Sequence, residues 1–351
     1  MKNNNSDQLK DSNKVTLVLP SKGSLEKVTI SFLERCGLSV FKPNPRQYTA
    51  SIPSLPEITV LFQRVEDIVT KVADGSADLG ISGYDIISEY GVEDSDLIVI
   101  HPKLGYGYCE IVIAVPQSWV DVDTMADLNE ISLDFREKRK QNIRIATKFP
   151  TLTKNFLLKH NITHFTIIEA QGAIEAAPTL GYADIVADIT STGTTLRENH
   201  LKLLEDGTII QSQACLIGNK NALLKNRQLL KTLKSFLEMI DASIAGKNYY
   251  KINAMLPGNS EDDVALMLLK HSSTRGTEGP SVAPVYAMKD GKVVKGGWFT
   301  ATIIMKKDNL LETIDHFRKA GATQIIVTPA RYIVFSQSQT YKNLLQRLKR
   351  G

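Results

Sequence analysis

Residues 15–19 form a short, mostly apolar run that stops at Pro20 and gives way to Ser21-Lys22-Gly23-Ser24. Apolar positions then recur at Leu25, Val28, Phe32 and Leu33, the spacing of one helix face. The pattern predicts a buried strand, a small polar loop and a helix start. It repeats along the chain. Residues 58–62 predict a second strand, 64–72 a helix closing at Asp74-Gly75, and 77–83 a third strand ending in small residues. A strand over 110–115 stops at Pro116. Residues 142–146 predict another, with Thr147-Lys148 at its tip and a helix to His160, and residues 166–169 one more, pointing at Gln171-Gly172. Such alternation predicts open, mostly parallel sheets with helices on their faces. Ligands in such sheets bind beyond the carboxyl ends of the strands.

The stretch from Glu175 to Leu196 is the most informative. Asp184-Ile185-Val186-Ala187-Asp188 reads as a buried strand running into the polar loop Thr190-Ser191-Thr192-Gly193-Thr194-Thr195. A strand that carries an acid to its tip and then opens into Gly and Thr suits a sugar phosphate. Backbone N–H groups and hydroxyls hold the phosphate, and the acid takes ribose hydroxyls or a metal. The stretch has an echo: Gly75-Ser76-Ala77-Asp78 and Gly181-Tyr182-Ala183-Asp184 each feed a strand with a polar tip. Two copies predict two similar α/β lobes rather than a solenoid. Asp78 and Asp184 are read as capping these turns rather than touching substrate.

Residues 209–218 predict a further strand. A long helix follows, with Leu229, Leu230, Leu233, Phe236, Leu237 and Ile240 on one stripe. Past Gly246 the pattern changes to strands over 249–255, 298–305, 324–327 and 332–335, with helices over 260–269 and 308–320. This is a small α+β unit of ferredoxin-like type. Residues 270–295 are rich in Gly, Ser and Pro and predict a loop with one short strand near 282–288.

Bulk properties narrow the function classes. At 351 residues the chain holds two or three domains. A net charge of +4 with no long basic run does not point to nucleic acid. No apolar run approaches the ~20 residues of a membrane span. Cys36, Cys109 and Cys215 lie far apart without metal-type spacing and read as reduced thiols of a cytoplasmic protein. Residues 1–13 are polar, lack the apolar core of a secretory signal and are expected to be a disordered extension. No Ser/His/Asp or Cys/His constellation for nucleophilic catalysis is evident.

Taken together, Glu175, Gly181, Ala183, Val186, Asp188, Thr192, Gly193, Thr195 and Leu196 match, element by element, the signature of the ATP phosphoribosyltransferase family. Pro20-Ser21-Lys22-Gly23-Ser24-Leu25 is similar to that family's N-terminal loop, although Ser24 stands where many members carry Arg. Residues 64–67 and 75–85 look like its first-lobe core, and Gly279–Pro284 and Gly321-Ala322 like its C-terminal domain. The chain thus resembles the long form of the family, which catalyses the first step of histidine biosynthesis.

The resemblance implies an α/β fold of two lobes like type II periplasmic binding proteins, plus a ferredoxin-like (ACT-like) domain. The implied boundaries are 14–108 with 201–246 for lobe I, 109–200 for lobe II and 247–351 for the regulatory domain. It implies transfer of phosphoribosyl from phosphoribosyl pyrophosphate to N1 of the ATP adenine. Mg²⁺ is the implied cofactor, histidine the feedback inhibitor, and a homo-oligomer from dimer to hexamer the implied assembly. Asp188 and Glu175 are the implied catalytic residues, with Glu175 near the ribose or the metal-bound pyrophosphate. Asp188, Thr192, Gly193, Thr194 and Thr195 would bind phosphoribosyl pyrophosphate. Lys22, Gly23 and Arg64 would face the pyrophosphate or triphosphate, and Asp67 and Asp85 adenine or ribose. Ser281 and Thr302 would contact histidine. The bland alternatives are a surface pair for Arg64 and Asp67 and a helix N-terminus for Glu175. The rival function is a non-enzymatic two-lobed small-molecule-binding or regulatory protein.

Overall fold

The computed structural model describes residues 14–44, 46–91 and 95–350. The predicted N-terminal extension, residues 1–13, lies outside the described residues. The chain divides into two compact units. The first runs to Phe236 and takes in the chain again from Thr340; the second is Leu237–Gln339.

The first unit holds two sheets. In lobe I, β1 (Val15–Pro20), β2 (Thr49–Ser51), β3 (Ile58–Gln63), β4 (Leu79–Gly83) and β5 (Leu97–His101) are joined by β11 (Ala214–Asn219) in the order β2-β3-β1-β4-β11-β5. In lobe II, β6 (Cys109–Pro116), β7 (Ile143–Thr147), β8 (Phe165–Glu169), β9 (Ile185–Thr190) and β10 (Leu201–Ser212) take the order β10-β6-β9-β7-β8. The two orders are equivalent. Each lobe has three adjacent parallel strands, β3-β1-β4 and β8-β7-β9, followed by an antiparallel strand that arrives from the other lobe. The sheets are therefore mixed rather than mostly parallel. The antiparallel members are mainly the strands that carry the chain between lobes, a tertiary event that local periodicity does not record.

The sequence echo has a physical meaning. Asp78 accepts the Thr16 backbone N–H at 2.8 Å, and Asp184 accepts the Arg144 backbone N–H at 2.8 Å. Each aspartate, one residue before its strand, thus ties that strand's entry to the start of the neighbouring parallel strand. Asp184 also takes Nε and Nη2 of Arg144 at 3.1 and 2.9 Å. Their side chains bond to the neighbouring strand rather than capping their own turn, the role expected of them.

The helices of the first unit are α1 (Ser24–Arg35), α2 (Val65–Ala73), α3 (Tyr84–Tyr90), α4 (Met125–Lys138), α5 (Pro150–Lys159), α6 (Ala177–Leu180), α7 (Thr194–Glu198), α8 (Lys220–Lys225) and the start of α9 (Arg227–Gly246). On α1, Phe32 and Leu33 enter the core, with the Phe32 ring 4.6 Å from that of Tyr106 and tilted by 32°. Helix α4, absent from the sequence reading, starts with a capping box in which Thr124 and Asp127 exchange hydrogen bonds.

The lobes share a hydrophobic cluster. Val18, Ile68, Val72, Ile86 and Ile87 of lobe I pack with Ile111 and Phe149 of lobe II. The lobe boundary lies later than expected: residues 201–212 form β10 in the lobe II sheet, and the chain returns through Gln213. The two crossing segments bond to each other, with Gly105 N–H on Gln213 Oε1 at 3.0 Å and Ala214 N–H on the Tyr106 carbonyl at 3.0 Å.

The second unit is built on β12 (Tyr249–Pro257), β13 (Ser281–Lys289), β14 (Lys292–Lys306) and β15 (Gln324–Pro329), in the order β13-β14-β12-β15, all antiparallel. Helices α10 (Glu261–Leu269), α11 (Ser272–Arg275) and α12 (Leu310–Lys319) complete the ferredoxin-like β-α-β-β-α-β pattern. Its core is Ile252, Leu256, Val264, Leu268, Phe299, Ile303 and Phe317.

Three expectations are corrected here. The Gly- and Ser-rich segment contains a full hairpin, β13–β14, not one short strand. Residues 332–335 are not a strand, because Ile333 N–H is spent on the Ala242 carbonyl at the end of α9. The second unit starts at Leu237 rather than 247 and does not keep the last helix, α13 (Gln339–Arg350). That helix belongs to the first unit, burying Leu344 and placing Arg347 Nη1 on the Val99 carbonyl of β5 at 2.6 Å.

Candidate active site

A cavity of about 730 Å³ opens between the lobes beyond the carboxyl ends of β1, β4, β7 and β9. The lobe I wall is Lys22, Gly23 and Ser24 after β1, with Gly83 and Asp85 after β4. The lobe II wall is Lys148 after β7, Glu175, and the run from Asp188 to Thr192 with Thr195 and Leu196. The tips of β1, β4, β7 and β9 therefore converge here, as open α/β sheets dictate.

The two walls offer different chemistry. Helix α1 begins with no side-chain cap, so the first N–H groups beside Lys22 and Gly23 point at solvent or a ligand. Leu25 and Val28, predicted as part of the core face of α1, line the cavity instead. With Val65 and Ile86 they give lobe I an apolar surface next to its anion-binding start.

On lobe II, Asp188 is half-buried at the end of β9. Its Oδ1 accepts the Ile189 N–H at 2.8 Å. Burial pushes its carboxyl above the ordinary range, the Ile189 amide and Lys148 pull it part of the way back, and Glu175 pushes it up again. Asp188, Lys148 and Glu175 are thus electrostatically coupled across one end of the cavity.

The loop after Asp188 is internally braced. Thr190 Oγ1 accepts the Gly193 N–H at 2.8 Å, and the hydroxyls of Thr192 and Thr194 bond at 2.9 Å. Arg197 Nη2 reaches the Thr192 carbonyl at 3.3 Å, and Ser191 Oγ donates to the Tyr108 carbonyl at 3.3 Å. Gly193 sits at φ +69°, a left-handed conformation that glycine adopts without strain. The turn into α7 depends on it.

Asp85 is buried at the first turn of α3. Its Oδ1 accepts the Ser212 Oγ–H at 2.7 Å, and its own N–H donates to Ser212 Oγ at 2.9 Å. Cys109 also lines the cavity, but burial and the nearby Asp85 push its thiol up to about 11. It is therefore a poor nucleophile at neutral pH.

The structure brings Lys22, Gly23, Asp85, Glu175, Asp188, Thr192 and Thr195 onto one cavity. Gly193 and Thr194 lie in the same loop without lining it. Arg64 and Asp67 are exposed and do not line it; Val65 and Glu66 occupy that wall. Ser281 and Thr302 are direct cross-strand partners on β13 and β14 of the second unit, with Thr302 Oγ1 accepting Asn253 Nδ2–H at 3.0 Å. Lys148 and Glu66 are wall residues that were not picked out as site candidates from the sequence. Lys148 carried a usable signal, since it stands at a predicted strand tip as Lys22 and Asp188 do. Tyr106 and Tyr108 differ: Tyr106 is buried with its hydroxyl on Thr29 Oγ1 at 3.1 Å, while Tyr108 lines the cavity.

Comparison with known proteins identifies relatives of this chain. Residues 64–242 match the family model described as "HisG: ATP phosphoribosyltransferase", and residues 238–332 match "HisG, C-terminal domain". The chain is 37% identical over 334 residues to ATP phosphoribosyltransferase 1, chloroplastic, of Arabidopsis thaliana, covering 95% of this chain and 81% of the relative. It is 44% identical over 210 residues to ATP phosphoribosyltransferase of Brucella melitensis, covering 59% of this chain and 91% of that one. Among solved structures, the ATP phosphoribosyl transferase (HisG:HisZ) complex from Thermotoga maritima aligns at 26% identity and a TM-score of 0.49, covering 64% of this chain and 96% of that one. No described helix is long and apolar enough to cross a membrane. The chain belongs to the ATP phosphoribosyltransferase family, in its form with a C-terminal domain.

Proposed function

We propose that this cleft joins N1 of the ATP adenine to C1 of the ribose in phosphoribosyl pyrophosphate. The adenine lone pair attacks C1, the C1–O bond breaks, and its electron pair leaves on pyrophosphate. The observation that carries the reading is the segment from Asp188 to Thr195: an acid at a strand tip, then a braced Thr/Gly loop, on the wall of the cavity that also holds Lys148, Lys22 and the open start of α1. In this reading Thr192 and Thr195 hold the 5-phosphate with Gly193 and Thr194 shaping the turn, and Asp188 accepts from the ribose hydroxyls. Lys148, Lys22 and Gly23 take the pyrophosphate or triphosphate, and Asp85 supports lobe I.

The chemistry needs positioning and charge control rather than a covalent nucleophile. A developing oxocarbenium charge at C1 is favoured by the Asp188 and Glu175 carboxylates, and the high Cys109 thiol pKa argues for the same non-covalent route.

Mg²⁺ fits this site in one specific way. Among the described residues no three His, Cys, Asp or Glu side chains form a cage. Asp188 and Glu175 are two carboxylates on one cavity, the complement of an ion carried in on substrate phosphates. Bound there, it neutralises charge on the leaving pyrophosphate. Feedback by histidine through Ser281 and Thr302, a dimer-to-hexamer assembly and a cytoplasmic location, consistent with three free thiols, belong to the same proposal.

The test is pyrophosphate release from ATP and phosphoribosyl pyrophosphate, with and without histidine. Turnover that histidine suppresses supports the whole reading. Turnover insensitive to histidine supports the cleft assignment alone, and tight ligand binding without turnover overturns it.

A further inference from the structure

Lys148 comes from lobe II, yet the turn that presents it is held by lobe I. Its neighbour Phe149 is 1% exposed and sits in the shared cluster among Val18, Ile68, Ile86 and Ile87. Two residues on, the N–H groups of Thr151 and Leu152, in the first turn of α5, donate to Oε1 and Oε2 of Glu89 at 2.8 and 2.9 Å. Glu89 belongs to α3 of lobe I and is 8% exposed. No cation pairs with it among the described residues; its burial is offset by these two amides and by the positive end of α5.

A helix start is usually capped from within its own turn, by a Ser, Thr, Asp or Asn at the N-cap. Here the N-cap is Phe149, which has no acceptor, and the cap arrives from 62 residues away in sequence. A local cap would satisfy the same N–H groups. What the distant carboxylate adds is a constraint between the lobes. The other end of α3 is tied to lobe II as well, through Asp85 and Ser212.

We propose that Glu89 is a positioning residue for the phosphoribosyl pyrophosphate site: by clamping the start of α5 to lobe I, it sets Lys148 in the cleft on the wall that also carries Asp188 and Glu175. The clamp and Phe149 together hold this side of the cleft at a fixed width, so the lobes do not swing freely as two independent halves. This inference rests on the reading that Lys148 contacts substrate phosphate.

The experiment is calorimetric titration of phosphoribosyl pyrophosphate with Mg²⁺ into the wild type, Lys148→Ala, Glu89→Ala, Glu89→Gln and the Glu89→Ala/Lys148→Ala double variant, with KM for each substrate measured alongside. Lys148→Ala should weaken binding about 10- to 100-fold, the loss of one charge-assisted contact. Glu89→Ala should weaken it about 10-fold while leaving KM for ATP within about threefold, and the double variant should bind no worse than Lys148→Ala, because the two losses run through one group. Glu89→Gln retains one acceptor and should recover most of the binding. Losses that add, or unchanged binding by Glu89→Ala, overturn the positioning role while leaving Lys148 in place. Unchanged binding by Lys148→Ala overturns the phosphate contact and the inference together. If Glu89→Ala does not fold, the cycle is run with Glu89→Gln, where the same non-additivity at smaller amplitude decides.

Discussion

Asp188→Asn should make the protein more stable and the site worse, and both effects follow from its surroundings. Burial and Glu175 hold the Asp188 carboxyl above its ordinary pKa, against the partial relief from Ile189 N–H and Lys148. A carboxyl raised in the folded state favours folding while protonated, and that contribution is lost as pH rises through the folded value. Each unit by which it is raised is worth about 1.4 kcal/mol at higher pH. Near the ordinary carboxylate value of about 4 and below, variant and wild type should converge. At neutral pH the variant should melt higher, with the gap widening between these limits.

Binding moves the other way. Asn keeps an oxygen for the Ile189 amide now bound at 2.8 Å, but replaces the second oxygen with a donor. One hydroxyl bond to a charged acceptor is then lost, about 1.5–3 kcal/mol, or roughly 10- to 150-fold in affinity for phosphoribosyl pyrophosphate. Thermal melting across a pH series and calorimetric titration read the two effects separately. A variant that melts lower at neutral pH, yet binds like wild type, would show that Asp188 is a structural acid and that the site has been misassigned.

Three further outcomes follow from the same geometry. Asp184→Ala leaves the Arg144 N–H without its acceptor and should lower stability by about 1–3 kcal/mol without changing substrate affinity at constant folded fraction; equal melting by calorimetry would refute its strand-tying role. Thr195→Ala should weaken phosphoribosyl pyrophosphate binding more than Thr194→Ala, because Thr195 lines the cavity and Thr194 pairs with Thr192; the reverse ranking by titration would move the phosphate to the outer side of the loop. Alkylation of Cys109 by iodoacetamide should be slow at neutral pH and accelerate as pH climbs toward about 11, and rapid labelling at neutral pH, located by mass spectrometry, would contradict the buried, protonated thiol.

Much of this protein was legible from local chemistry. The strand ending at Thr190 and the Thr/Gly turn after it were readable, because apolar residues and then small residues and hydroxyls occupy consecutive positions. The echo at Gly75–Asp78 was equally local, and the matching strand-tying bonds of Asp78 and Asp184 show why both copies carry the acid. The ferredoxin-like unit was readable from its alternating strands and helices, apart from the hairpin hidden in the Gly- and Ser-rich segment.

Contacts between distant segments decided the rest. Whether residues 201–212 join lobe I or lobe II depends on the partner strand, β6, not on their own sequence. Leu25 and Val28 have the helical spacing of core residues, and only the packing of the lobes shows that they face a cavity. Helix α13 belongs to the first unit, with Arg347 on the Val99 carbonyl, after the whole second unit has intervened. The clamp by Glu89 is the clearest case. A Glu near the end of a short helix carries no sign that it caps another helix 62 residues on, since hydrogen bonds between lobes exist only after both have folded. Sequence by itself determined the lobes, the loop and the acid at its tip, because those rest on neighbours along the chain. Tertiary structure alone decided which groups share the cleft, and therefore that Lys148, rather than Arg64, lines it with the carboxylates.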